Sequence, residues 1–173
     1  DQALENSRHS FTSGEFIEKL SGLVRIVTDS KNSVSNEYLK SYYSEGLLSI
    51  LTELGIQTKI IDNYVENAPP FLIGERIESS ELKTILLYGH GDTVPLQQGL
   101  WYEGLIPSEL KIFDKKIYGR GVADNKGQHL VNLLALRSVL KTRKKLGFNL
   151  KIIFEMGEEI GSPGLFELCE QYK

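Results

Sequence analysis

Thr84-Ile85-Leu86-Leu87-Tyr88-Gly89-His90-Gly91-Asp92-Thr93-Val94-Pro95 decides the reading of this chain. Its first five residues form a short apolar run, as expected of a central strand covered on both faces, and the run breaks at a glycine. His90 and Asp92 therefore sit just past a strand end. A second such run, Leu150-Lys151-Ile152-Ile153-Phe154, leads into Gly157-Glu158-Glu159-Ile160-Gly161-Ser162. Between the two, helical periodicity predicts an amphipathic helix from about Gln128 to Leu140. Asp124 precedes it in Gly119-Arg120-Gly121-Val122-Ala123-Asp124-Asn125-Lys126-Gly127. Strands alternating with helices predict an α/β fold with a mixed, largely parallel sheet flanked by helices. Such sheets collect ligands beyond the carboxyl ends of their strands.

Outward from this centre, Thr12 and Glu15 read as a capping box before Phe16, Leu20, Leu23, Val24 and Val27, which recur at helical spacing. A second helix starts near Asn36, carries Leu39, Tyr43, Leu47, Ile50, Leu51 and Leu54 on one stripe, and stops at Gly55. Residues Thr58 to Ile61 and Phe71 to Ile77 read as strands parted by Pro69 and Pro70. Residues 1–173 are taken as one unit without repeats or a linker.

With 40% apolar residues the chain can bury a core. Its formal charge of -3 points to neither nucleic acid nor an anionic membrane. The basic run Lys141, Arg143, Lys144 and Lys145 fits a helix C-terminus better than a phosphate site. A single cysteine, Cys169, excludes an internal disulfide framework and a cysteine-rich zinc module. No apolar run approaches the ~20 residues of a membrane span. Asp1 to Ser10 lack the pattern of a signal peptide, although the missing initiator Met leaves room for a removed leader. The expected location is cytoplasmic.

The three clusters are chemically complementary. A histidine on a Gly-flanked turn can offer one ring nitrogen to a metal, while a carboxylate two residues on holds the other ring N–H. His90 and Asp92 suit these roles. Asp124 can join two cations through its two oxygens, and of Glu158 and Glu159 one can bind metal and leave the other as proton carrier. Singly, a His-x-Asp or a Glu-Glu is a frequent accident. Their joint placement at strand and helix ends points to a two-metal hydrolase. A two-metal phosphatase or nuclease would want a basic clamp that is not seen here.

These three blocks resemble the signatures of the di-zinc metallopeptidase and amidohydrolase family of aminoacylases, glutamate carboxypeptidases, acetylornithine deacetylases, succinyl-diaminopimelate desuccinylases and carnosinase-like dipeptidases. The spacing agrees, with 34 residues from His90 to Asp124 and 35 from Asp124 to Glu159. The resemblance implies the N-terminal portion of a catalytic domain, with the lid or dimerisation domain and the C-terminal part of the catalytic domain absent from the chain. It makes His90 and Glu159 ligands of different zinc ions, Asp124 their bridge, Asp92 the partner of His90 and Glu158 the general base. It also implies a cis peptide bond between Asp124 and Asn125. Met156 departs from the Glu that many relatives carry there.

The implied reaction is hydrolysis of an amide or peptide bond in a small substrate with a free carboxylate, a small peptide or N-acyl amino acid, by metal-activated water. Two Zn²⁺ ions are expected per complete site, with Co²⁺ or Mn²⁺ as substitutes. The relatives' remaining carboxylate and histidine ligands would fall beyond Lys173, so the fragment is expected to be inactive, and a metal-free state of it is allowed for. Homodimerisation through the absent domain is a further expectation. The rival reading is a non-catalytic module that keeps the fold and binds a ligand or partner. Among the other candidates, His9 reads as exposed, His129 as a hydrogen-bonded helix residue, Trp101 and Tyr102 as packing or cleft lining, and Arg120 as an orienter of Asp124 or a salt-bridge partner.

Overall fold

The structure, a computed structural model, describes residues 2–32 and 34–172. The expected boundaries at Asp1 and Lys173 lie outside the described residues. In chain order the elements are helices α1 (Gln2–Thr12) and α2 (Glu15–Arg25), α3 (Asn36–Ser41), a π-helical turn (Tyr42–Leu47) and α4 (Leu48–Glu53). Strands β1 (Gln57–Ile61), β2 (Phe71–Arg76) and β3 (Thr84–His90) follow, then the hairpin β4 (Lys111–Phe113) and β5 (Lys116–Tyr118). Helix α5 (Lys126–Arg143), β6 (Asn149–Glu155) and α6 (Leu165–Gln171) complete the order.

The main sheet runs β1-β2-β6-β3. Only β3 and β6, joined through α5, are parallel, while β1 with β2 and β2 with β6 are antiparallel. The α/β class and the mixed sheet hold, while the expected parallel character is borne out only in the β3–β6 pair. A parallel pair needs a crossover helix, and only the stretch between β3 and β6 supplies one. The run Thr84–Tyr88 also departs from expectation: β3 is an edge strand among the described residues, with Ile85, Leu86 and Tyr88 exposed.

The helices are built largely as their stripes predict. Phe16, Leu20, Leu23 and Val24 of α2, Leu39 to Leu54 of the second helical segment, Leu130, Leu133 and Leu134 of α5, and Leu72, Leu150, Ile152 and Phe154 of the sheet share one core. Each such side chain contributes about 1.5–3 kcal/mol on burial. Ser35 caps α3 by accepting from the Tyr38 amide. Gly55, at φ 64°, takes the left-handed position after α4. The Thr12 capping box does not form. Thr12 ends α1 and its hydroxyl donates to the Arg8 carbonyl, while Gly14 stands at the cap of α2. Helix α1, too polar to show a stripe, is held by Arg137 of α5, whose guanidinium donates to Ser10 and to both oxygens of Glu15.

Candidate functional site

The parallel register of β3 and β6 sets His90 beside Glu155, so the two loops carrying the first and third sequence clusters leave the sheet together. The His90 turn is pinned from behind. Thr28 donates to the Gly91 carbonyl at 2.6 Å, and the Thr93 amide donates to the Thr28 carbonyl at 2.9 Å. A Cβ at Gly91 would stand 2.4 Å from the Tyr42 ring, so only glycine lets the turn settle on that aromatic. The second cluster enters α5 through a comparably tight contact. A Cβ at Gly127 would lie 2.0 Å from the Val122 carbonyl oxygen. The peptide bond between Asp124 and Asn125 is cis, as the resemblance implied.

Asp92 is fully buried and serves as the hub of the two loops. Its carboxylate accepts from the backbone amides of Glu158 (3.3 Å) and Glu159 (3.1 Å) and lies 3.3 Å from His90 Nδ1. The other His90 nitrogen, Nε2, lies 3.0 Å from Asp124 Oδ1 and 3.9 Å from Glu158 Oε2. Burial pulls the His90 pKa down, but Asp92, Asp124 and Glu158 overrule it and raise it to about 9. Burial, then the charges of Asp124, Asp92 and Glu158, push Glu159 upward as well. Four carboxylates, Asp92, Asp124, Glu158 and Glu159, therefore lie within electrostatic reach of one another and of the imidazole.

This donor set suits a divalent cation in kind. A tetrahedral ion with bonds of about 2.1 Å wants its ligand atoms roughly 3.4 Å apart, so Nε2 and Oδ1 need to part by a few tenths of an ångström. Asp124, whose side chain is 72% exposed, is free to make that rotation. The fit is partial, because among the described residues no three His, Cys, Asp or Glu side chains close on one point.

Other expectations resolve plainly. His9 is exposed, and His129 is buried and hydrogen-bonded. Tyr102 is exposed; the Trp101 indole donates to the Leu96 carbonyl, and the Arg120 guanidinium lies over its ring at 5.4 Å. Arg120 forms no ion pair among the described residues, so neither role read for it is realised. Met156 is a buried core residue. Lys144 takes the left-handed cap of α5, with Lys141 and Arg143 in the last turn.

Two features escaped the sequence reading. Lys126 is buried, donates to the Leu23 and Ile26 carbonyls at the end of α2, and sits 5.1 Å over the Tyr42 ring. Glu155 accepts from the hydroxyls of Tyr88 and Ser162. A lysine inside the Asp124-Asn125-Lys126-Gly127 block was the available signal for the first.

The family profile described as Peptidase family M20/M25/M40 matches residues 86–173. The chain is 32% identical over 170 residues to the Beta-Ala-His dipeptidase of Mus musculus, covering 92% of this chain and 34% of that protein. It is 30% identical over 168 residues to the Cys-Gly metallodipeptidase DUG1 of Candida albicans, covering 89% and 34%. The crystal structure of human carnosine dipeptidase 1 superposes with a TM-score of 0.82 at 28% identity, over 99% of this chain and 38% of that one. The chain thus spans about a third of the length of the curated relatives it matches. With the family profile covering the site-bearing half, this chain belongs to peptidase family M20/M25/M40.

Proposed function

We propose that the chain is the N-terminal portion of the catalytic domain of a metal-dependent hydrolase that cleaves an amide or peptide bond in a small substrate with a free carboxylate. The observation that carries this reading is the meeting of His90 Nε2 with Asp124 Oδ1 at 3.0 Å, with Glu158 on the same nitrogen at 3.9 Å. The relatives' names, a Beta-Ala-His dipeptidase and a Cys-Gly metallodipeptidase, favour a dipeptide over an N-acyl amino acid.

His90, Asp124 and Glu159 are the residues proposed to hold metal, Asp124 between two ions. Bound there, a pair of divalent cations, zinc with cobalt or manganese as substitutes, supplies Lewis-acid polarisation of the scissile carbonyl and lowers the pKa of water. Asp92 holds the Nδ1–H of His90 and so leaves the Nε2 lone pair facing the cleft. Glu158, half-exposed at the cleft, takes a proton from the attacking water and delivers it to the departing amine nitrogen. By itself the 173-residue chain offers too few donors for tight binding, and it is expected to hydrolyse nothing at a useful rate.

The test is Glu158→Gln in the complete polypeptide. It should lower kcat by about 10²-fold or more, on the scale of general acid–base catalysis, and leave metal content unchanged. Near-wild-type turnover would remove Glu158 from the mechanism. A non-catalytic ligand- or partner-binding module is the second reading, favoured by the absence of a three-donor group among the described residues. It predicts no turnover of any dipeptide by the wild-type, metal-loaded polypeptide.

A further inference from the structure

His129 lies one helical turn into α5, 1% exposed, and touches neither solvent nor the open cleft. Its two nitrogens are both engaged: Nε2 with the Tyr42 hydroxyl at 2.6 Å and Nδ1 with Asn125 Oδ1 at 3.2 Å. The direction of each bond follows from the ends of the chain. Gln128 donates its amide to the Ala123 carbonyl at 2.9 Å, so its oxygen faces Asn125 and accepts from Asn125 Nδ2 at 3.2 Å. Asn125 Oδ1 is therefore the atom turned inward, and it also accepts the His90 backbone N–H at 3.3 Å. An acceptor at that point requires the proton of His129 on Nδ1, which leaves Nε2 to accept from Tyr42.

The result is one closed line: Tyr42 O–H to His129 Nε2, His129 Nδ1–H to Asn125 Oδ1, and His90 N–H to the same oxygen. It ties the π-helical turn, α5 and the end of β3 to the residue that follows Asp124. Burial first, then the charges of Lys126 and His90, hold the imidazole neutral, with a pKa pushed down to about 3. Its ring packs edge-on to Tyr42 and tilted against Phe154.

We propose that His129, backed by Tyr42, is a positioning residue that fixes the Asn125 side chain and so holds the His90 and Asp124 turns in their mutual geometry. The inference rests on reading those two residues as metal ligands.

The test uses three substitutions in the complete polypeptide. In His129→Asn the side-chain amide reaches the place of Nδ1 and can still donate to Asn125. In His129→Gln it reaches the place of Nε2 and cannot, and His129→Phe keeps bulk without either nitrogen. Two readouts are taken on folded protein: Co²⁺ affinity by titration calorimetry, and the His90 amide resonance in ¹⁵N-histidine-labelled, metal-free protein. Expected are a Co²⁺ affinity lowered about 10-fold in the Gln and Phe variants, the lower end for groups that orient ligands, a displaced His90 resonance, and recovery of both in the Asn variant.

If Gln and Phe leave both readouts at wild type, or if Asn fails to rescue them, His129 is only core packing and the proposal is overturned. Absence of Co²⁺ binding by the wild type would sink the ligand reading, while the resonance series would still decide the role of His129. Should the His129 variants not fold, Tyr42→Phe removes the hydroxyl behind the imidazole with little change in volume. It should displace the same resonance in the same direction, and an unmoved resonance there overturns the proposal.

Discussion

Replacing Asp92 by Asn keeps the volume of a fully buried side chain and changes its hydrogen-bonding sense. Two backbone donors, the Glu158 and Glu159 amides, converge on the carboxylate, and His90 Nδ1 lies 3.3 Å from it and 3.2 Å from the Asp92 backbone carbonyl. An asparagine has one oxygen for them, and its NH₂ must face at least one N–H. A buried donor left without a partner costs about 1–3 kcal/mol, and each hydrogen bond to a charged acceptor contributes about 1.5–3 kcal/mol net. Against this, neutralising a buried carboxylate relieves part of its desolvation. The balance is an expected loss of about 2 kcal/mol, which for a chain of this length lowers Tm by roughly 4–8 °C.

The functional effect is separable from the structural one. The Asp92 backbone carbonyl, 3.2 Å from His90 Nδ1, survives the substitution, so Nδ1 loses only its charged partner, and a divalent ion should bind about 10-fold more weakly, the lower end for groups that orient a ligand. Thermal unfolding and Co²⁺ titration of Asp92→Asn measure the two effects separately. Arg137→Met is the control, because Arg137 ties α1 and α2 to α5 away from the cleft. It should lower Tm and leave Co²⁺ affinity alone. Were Asp92→Asn to bind Co²⁺ as tightly as wild type, Asp92 would not set the orientation of His90 and the reasoning would fail.

Glu15→Gln should make stability less dependent on pH. Arg137 lowers the Glu15 pKa from 4.5 to about 2 against the cost of burial, so the bond contributes stability that is present above about pH 4.5 and lost as pH falls toward 2. Because the Glu15 side chain is a third exposed, the full conversion of the shift is discounted to about 1 kcal/mol. Urea unfolding of both proteins should differ by that amount at pH 6 and converge near pH 2; a constant gap would refute the assignment. Gly127→Ala should destabilise by about 1–3 kcal/mol, as overpacking does, since its methyl meets a backbone carbonyl that cannot step aside. Equal Tm values for Gly127→Ala and wild type would show that the first turn of α5 is looser than its geometry.

What the sequence made legible was whatever repeats with a period or carries a charge at an element's end. The stripes of α2, α5 and the segment from Asn36 to Leu54 are long enough for periodicity to identify them, and the clusters at His90, Asp124 and Glu158 stand out because strand ends and glycines frame them. Pairing direction was not legible. The apolar alternation of β2 is the same whether β6 runs with it or against it, and only the topology decides. The edge position of β3 was hidden for a related reason: Thr84 to Tyr88 carries the composition of a strand covered on both sides, and composition does not say which chain does the covering. Helix α1 went unread because its side-chain bonds to α5 are polar, Arg137 to Ser10 and Asn6 to Thr142, and leave no apolar stripe.

The same distinction explains why the charged residues of the site were found and its supports were not. His90, Asp92, Asp124 and the glutamate pair are costly to place together without a counter-charge, so their co-occurrence carries information by itself. Tyr42, Asn125 and His129 are neutral and individually ordinary; Tyr42 and His129 belong to helical segments whose stripes already account for burial. Their significance lies in the direction of three hydrogen bonds, and direction appears only when the Ala123 carbonyl at one end and the His90 amide at the other are both in view. Beside a cluster of like charges, a neutral group of fixed orientation supplies a hydrogen bond without shifting the pKa values that the cluster depends on. His129, buried as a neutral imidazole, has that character: it donates one hydrogen bond toward the site without adding a charge to it.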